Sequence, residues 1–259
     1  LDPGFRTDRT AIAGVDLGLA RYTPEQASRF YQEAAARVAA LPGVAAVTWT
    51  SLLPLVHEND QESIVVEGYA PGRDETPMAT FQVVGPGYAR LMGIPMSEGR
   101  EFTEQDGQDA PVAMINESLA RRYWNGRAPI GGRIQVHDFT FTVVGIMKDV
   151  HLRNLTDAPA PTVFLAFNQI PKGMSLFSMK MLVRTTGSSA QLVPSLRAQL
   201  AELDPNVPLM GAGTLEDHPA ALLTPQRHAA SLMGWLGALA LIIVAVGIYS
   251  TAAYEATRR

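Results

Sequence analysis

The apolar positions between Ala27 and Leu41 recur at helical spacing. Ala27, Phe30, Tyr31, Ala34, Val38 and Leu41 share one face, while Glu25, Arg29, Glu33 and Arg37 share another and form Glu-to-Arg pairs four apart. Thr23-Pro24-Glu25-Gln26 supplies the start: Thr23 caps, Pro24 suits the first turn, and Gln26 bonds back to the cap. Pro42-Gly43 stops the helix. Strands are predicted on either side, around Ala11 to Leu17 and from Val44 to Thr50. The same plan returns near the other end. A strand from Ser178 to Thr185 leads into Ser188-Ser189-Ala190-Gln191, again a capping-box pattern. Leu192, Leu196, Leu200 and Leu203 line one helical face, Asp204-Pro205-Asn206 ends it, and Val207 to Met210 is extended. Two β-α-β units of this kind join into one sheet with both helices on one face.

The stretch between them has a different pattern. Residues 61–70 alternate as a strand, 79–84 form another, and Gly85-Pro86-Gly87 opens a short helical turn through Met92. Pro111 to Ile115 runs into a helix at Asn116; 133–136 and 139–146 make a hairpin over His137-Asp138; Pro161 to Phe167 is a further strand. This predicts a β-rich domain inserted into the first.

Ala229 to Tyr254 breaks from everything before it. The run has no charged residue, and Leu232 to Ile248 holds only Leu, Met, Gly, Trp, Ala, Ile and Val. Roughly 20 apolar residues are needed to cross a hydrocarbon core. The run is apolar on every face, with Trp235 near one end and Tyr249 and Tyr254 near the other, so it predicts a transmembrane helix. Arg258 and Arg259 follow it and favour a cytoplasmic C-terminus, which puts residues 1–228 outside the cytoplasm. Leu1-Asp2-Pro3-Gly4-Phe5-Arg6 is not a signal peptide, so an upstream transmembrane segment is expected before this chain, and its far end reads as cut. Within the run Gly234 and Ala238, four apart, suit close helix packing.

Composition narrows the chemistry. The 259 residues are 47% hydrophobic and 18% charged, an ordinary globular balance that excludes a disordered chain. A net charge of −4 gives no general attraction to nucleic acid. The absence of cysteine removes disulfides, thiolate metal sites and cysteine nucleophiles. No phosphate-cradling Gly-x-x-x-x-Gly-Lys motif occurs, and Gly85-Pro86-Gly87 lacks a third glycine at Arg90, so it reads as a turn. His57-Glu58-Asn59-Asp60 is polar, and Ser51 or Ser63 with His57 and Asp60 can be written as a triad, but no Gly-x-Ser-x-Gly elbow or His-Glu-x-x-His supports it. Asp149 and His151 follow a strand and read as a loop end. No catalytic residue, cofactor or metal site is therefore assigned. Met174, Leu176 and Phe177, beside Pro171 and Gly173, form an adaptable apolar segment suited to touching substrate, a partner protein or lipid.

The ordered set Asp2-Pro3-Gly4-Phe5-Arg6-Thr7-Asp8, Phe30-Tyr31 with Leu41-Pro42-Gly43-Val44, Val84-Gly85-Pro86-Gly87-Tyr88 with Gly93-Ile94-Pro95, Gly99-Arg100-Glu101-Phe102, Val112 to Glu117, Arg122-Tyr123-Trp124, Pro129-Ile130-Gly131, Val143-Val144-Gly145-Ile146 and Gly237 to Leu241 resembles the MacB-like periplasmic core domain of FtsX-family ABC transporter permeases, acidobacterial-type permeases above all. The resemblance covers almost the whole chain. It implies an α+β, two-lobed periplasmic domain: a porter-like double β-α-β lobe (1–54 and 171–215), an inserted β-rich lobe (55–170), a hinge (216–228), one C-terminal transmembrane helix (229–255) and a cytoplasmic start (256–259). It also implies a cytoplasmic ABC ATPase, a second permease copy or half, a periplasmic partner protein and membrane lipid as partners, and motion carried from the ATPase through the helices. On that reading strain falls on a joint over 211–228 that holds Gly211, Gly213, Pro219 and Pro225. Two other readings stand beside it: a membrane-anchored binding or scaffold domain without transport, and an anchored hydrolase around His57 and Asp60.

Overall fold

The computed structural model describes residues 4–54, 61–106, 111–151, 158–169 and 177–218. Residues 1–216 form one compact unit; the second unit, 217–259, lies outside the described residues apart from Asp217 and His218. The run Ala229–Tyr254 is therefore outside them, and no described helix is long and apolar enough to cross a membrane.

The first helix, α1 (Pro24–Ala39), follows strand β1 (Thr10–Asp16) and precedes β2 (Val44–Thr50). Its capping box is formed: Gln26 N–H donates to Thr23 Oγ1 at 3.3 Å, and Thr23 N–H donates to Gln26 Oε1 at 2.8 Å. The apolar face buries Ala27, Phe30, Tyr31, Ala34 and Val38. Burying a large apolar side chain is worth about 1.5–3 kcal/mol. The later unit consists of β10 (Ser178–Thr185), α4 (Ser189–Leu203) and β11 (Leu209–Thr214). Here Ser188 makes no side-chain cap bond, so the predicted second capping box is absent. Leu192, Leu196 and Leu200, all buried, hold α4 to the sheet instead. The strand order β11-β1-β10-β2 is antiparallel throughout. The two helices share the face that carries Ala11, Ala13, Val15, Met179, Met181 and Val183.

Seven strands lie between β2 and β10: β3 (Gln61–Val66), β4 (Met78–Val84), β5 (Met96–Gly99), β6 (Val112–Asn116), β7 (Arg133–Val136), β8 (Phe139–Met147) and β9 (Thr162–Ala166). Six close on themselves in the order β4-β3-β7-β8-β6-β9, with β9 returning to β4 in parallel. The closed ring leaves those strands no open edges toward one another. Ile64, Phe81, Ile115, Ile134, Phe141, Val163 and Leu165, at alternate positions of its strands, belong to the main core. Helix α3 (Glu117–Trp124) adds Leu119, Tyr123 and Trp124 to that core. The Tyr123 hydroxyl donates to the Met78 carbonyl at 3.0 Å. The opposite faces of β4, β6 and β9 supply Val84, Met114 and Phe164 to a second core. That core also holds Phe5, Leu182, and Tyr88 and Met92 from the short helix α2 (Tyr88–Met92). Strands buried on both faces have no polar alternation.

Asn116 ties three elements together. Its Oδ1 accepts from Leu119 N at 3.0 Å and Thr162 N at 2.9 Å, and its Nδ2 donates to Ala160 O at 2.8 Å. The side chain caps α3 and also holds the first residue of β9. Asn116→Ala is expected to lower unfolding stability by about 2–3 kcal/mol, because a cap is lost and two buried N–H groups are left unpaired. A urea midpoint within error of wild type would refute this role.

A second pin is Asp106, which accepts both Arg100 guanidinium nitrogens at 2.6 and 2.7 Å and also Thr103 N at 2.7 Å. These bonds, the Arg100 pair foremost, hold its carboxyl down at about 2. An unfolded aspartate titrates near pH 4, so this stabilisation is fully present above about pH 4 and is lost as pH falls through about 2. Arg100 is half exposed, so solvent trims the effect to about 1 kcal/mol. The stability gap between wild type and Asp106→Asn is expected to close between those pH values; a gap constant from pH 6 to 2 would count against the assignment.

Candidate functional site

Several buried polar groups of the described residues are used to build the fold. Asp149, which the sequence placed at a loop end, accepts from Ser118 N at 2.8 Å, from Ser118 Oγ at 2.9 Å and from Arg121 at 2.6 Å, so it braces the first turn of α3. Ser51 Oγ accepts from Val83 N at 2.9 Å, a strand-pairing role. Gln169 pairs both amide atoms with the backbone of Val112, as a strand neighbour would. His57 and Asp60 lie outside the described residues. Among the described residues no group of three or more histidines and carboxylates could hold a metal.

A different kind of site is found where the chain enters and leaves the sheet. β1 begins beside the end of β11: Ala11 faces Thr214, Leu215 N donates to Thr10 O at 2.8 Å, and Arg9 N donates to Glu216 Oε1 at 3.2 Å. Leu215 is buried. On the other side Thr185 N donates to Arg9 O at 2.9 Å, and the Arg184 guanidinium reaches Asp8 at 3.3 Å, Thr10 Oγ1 at 3.2 Å and the Leu91 carbonyl at 3.4 Å. Phe5 is buried in the second core, and Arg6 N donates to Met92 O at 2.7 Å. Incoming and outgoing segments are thus stitched to each other and, through Arg184 and Phe5, to β10 and α2. The junction is held by an antiparallel backbone ladder.

Gly211 and Gly213, expected in a joint, are instead part of β11, where Gly213 faces Ile12. The ladder shifts register between Ala13 and Val15, and Gly211 has φ +77° opposite that irregularity. Gly14 makes the close approach feasible: a Cβ there would lie 2.6 Å from the Met210 carbonyl oxygen. Glycine absorbs a strand irregularity as readily as a hinge, and only the pairing distinguishes the two.

At the other end of β1, Asp16 Oδ1 accepts from Gly18 N and Leu19 N at 2.9 and 3.2 Å and presents Leu19, which is 67% exposed. Phe177 lies against this turn. It is half-buried, and its carbonyl accepts from Leu17 N at 2.7 Å and from the Tyr31 hydroxyl at 2.9 Å. Met174, Leu176, Gly234 and Ala238 lie outside the described residues. Sequence reasoning missed Leu19, because a single leucine in a turn gives no periodic signal.

Residues 5–202 match the family profile described as the MacB-like periplasmic core domain. A curated relative, the macrolide export ATP-binding/permease protein MacB of Bdellovibrio bacteriovorus, is 22% identical over 187 residues, covering 68% of this chain and 28% of the relative. The chain therefore spans less than a third of that protein's length. Among solved structures, the periplasmic region of MacB from Actinobacillus actinomycetemcomitans superposes with a TM-score of 0.56 at 18% identity, covering 85% of this chain and 94% of that one. The extracellular domain of the noncanonic ABC-type transporter YknZ from Gram-positive bacteria gives 0.50 at 15% identity, covering 78% and 100%. At these identities the likeness is one of fold, a mixed α+β domain.

Gly14→Val is expected to push β11 off β1 without unfolding the ring. Hydrogen exchange at Leu209–Thr214 should quicken at least about tenfold, an opening cost of about 1.4 kcal/mol or more, while Thr162–Ala166 stays protected. Equal protection in variant and wild type would remove the close approach from the account.

Proposed function

The chain belongs to the MacB-like periplasmic core domain family, and from that premise we propose that it is the periplasmic domain of an ABC transporter permease subunit, passing ATPase-driven motion across the inner membrane to export or extract a substrate. In this reading residues 1–228 stand on the periplasmic side. The porter-like lobe is made of 1–54 and 171–215, the inserted lobe of 55–170, the joint of 216–228, and the transmembrane helix of 229–255. One helix pulls at Asp8 and the other at Glu216. Because β1 and β11 are hydrogen-bonded neighbours at those points, both pulls enter the sheet at one place. That stitched junction is the observation that carries the proposal. A load delivered there moves the sheet as a body.

The chain carries no phosphate-cradling loop, so ATP hydrolysis falls to a cytoplasmic ABC ATPase on another domain or chain, and this domain is non-catalytic. A second permease copy or half completes the transporter. Phe177, against the turn that exposes Leu19 at the end of β1 away from the junction, belongs with Met174 and Leu176 to an apolar segment that would touch substrate, a partner protein or lipid. Gly234 and Ala238 let the helix pack closely within lipid.

The test uses the full-length permease reconstituted with its ATPase. Ala11→Cys with Thr214→Cys places two thiols on directly opposed residues, within disulfide reach. Oxidation of that pair should leave ATP-driven transport within about twofold of the reduced form, because the strands move together. Leu215→Asp, which breaks the stitch, should keep ATP hydrolysis and lose most transport. Transport stopped by the disulfide would show that the two strands must slide, contrary to the proposal. Full transport by Leu215→Asp would favour a scaffold that carries no load.

A further inference from the structure

Eight of the ten methionines, all but Met174 and Met233, lie within the described residues, and their environments differ. Met92, Met114, Met147, Met179 and Met181 are fully buried, and Met78 and Met96 are half-buried. Met210 is 58% exposed. It stands at an irregularity of the sheet. Between the pairs Val15 with Leu209 and Ala13 with Ala212, two residues of β11, Met210 and Gly211, oppose the single residue Gly14 of β1. The extra residue makes a bulge. The Met210 carbonyl oxygen comes so near Gly14 that a Cβ on that glycine would lie 2.6 Å from it, and Gly211 follows with φ +77°. The backbone of Met210 is thus fixed by the bulge, while its thioether is open to solvent.

We propose that Met210 is a site of reversible oxidation to methionine sulfoxide, which the folded domain accepts without losing its structure. The oxidant is a peroxide acting as an oxygen donor. A sulfur lone pair attacks one peroxide oxygen; the S–O bond forms as the O–O bond breaks, sulfur gives up two electrons, and hydrogen peroxide is reduced to water. The chain has no cysteine to compete for the oxidant. Exposure then selects among the methionines. At Met210 the new S=O group enters water and is solvated there. At Met114 or Met181 it would enter a core, where an unpaired polar group is costly. The buried methionines are therefore protected both by access and by the cost of the product. Reversal needs the same exposure: a reductase uses two thiols, which become a disulfide, and the sulfoxide oxygen leaves as water. The inference rests on exposure and strand geometry and stands whether or not the domain transports anything.

The experiment treats the full 259-residue chain, folded in detergent micelles, with hydrogen peroxide and reads oxygen uptake by mass spectrometry after trypsin. Cleavage after Arg197 and Arg227 gives a peptide, 198–227, whose one methionine is Met210; Met114, Met147 and Met181 likewise fall singly in 101–121, 134–148 and 181–184. The 198–227 peptide should gain about 16 Da at a rate within about threefold of a free methionyl peptide, and the other three at least about tenfold more slowly. In urea the four should react alike. Both epimer-specific methionine sulfoxide reductases, supplied with a dithiol, should return the 198–227 mass of the folded chain to its starting value. Met210→Gln, which puts a permanently polar end at the same place, should keep the urea midpoint within error of wild type. Oxidation of Met210 in the folded chain as slow as that of Met114, a spread of rates that persists in urea, a sulfoxide that both reductases leave in place, or a clearly lowered midpoint for Met210→Gln would each overturn the proposal.

Discussion

The architecture depends on β4 serving two assemblies at once. Ala79, Phe81 and Val83 face the core of the ring, and the next residues in alternation, Gln82 and Val84, face the second core and β2. Both sides are buried, so a one-residue shift of register would exchange the two sets between cores shaped for the other. At the contact with β2 the pairing is a single residue pair, and Gln82 secures it. Its amide nitrogen lies within hydrogen-bond distance of three oxygens, Thr50 Oγ1 at 2.8 Å, Leu52 O at 3.0 Å and the Tyr88 hydroxyl at 3.0 Å, among which its two hydrogens are shared. One buried glutamine therefore joins the end of β2, the segment after it and α2. Burial also raises the Tyr88 hydroxyl well above its ordinary range, keeping that member of the network neutral.

Several residue groups that carry the family resemblance meet in space, and they meet as packing. Gly99 faces Gly145 across β5 and β8; a Cβ on Gly145 would lie 2.2 Å from the Arg100 carbonyl oxygen, and one on Gly99 would lie 2.2 Å from that of Val144. Tyr123 and Trp124 are buried with the ring, and Phe5 sits in the second core with Tyr88 and Met92. Motifs made of glycines at backbone crossings and buried aromatics specify a shape.

If the proposed transmission of motion holds, rigidity matters most at the junction of β1 and β11. A sheet loaded at two distant strands would twist, whereas one loaded at two bonded neighbours translates. Arg184 extends that junction to α2 through the Leu91 carbonyl, and α2 leans on β4 through Gln82 and Tyr88. A continuous set of hydrogen bonds thus connects the chain's entry point to the ring.

The sequence by itself determined the elements with a strong local cause. The helix at Pro24–Ala39 follows from its capping box and apolar face, the strands at Val44–Thr50 and Ser178–Thr185 from their bounding turns, and the hairpin over His137-Asp138 from its alternation. The shared-face pairing of the two helices was legible for the same reason. Tertiary structure alone decided the rest. Closure of the ring rests on β9 returning to β4, a pairing between residues some eighty apart that leaves no periodic trace. Gly211 and Gly213 read as a joint because glycine permits either a hinge or a strand irregularity, and only the pairing of β11 with β1, which the close approach of Gly14 to Met210 permits, makes them strand. Asp149 stands at a loop end as its sequence reads, but its bracing of α3 was not legible, because its partner, Ser118, lies about thirty residues away. Local chemistry fixes a residue's options, and the partner brought to it by the fold selects among them.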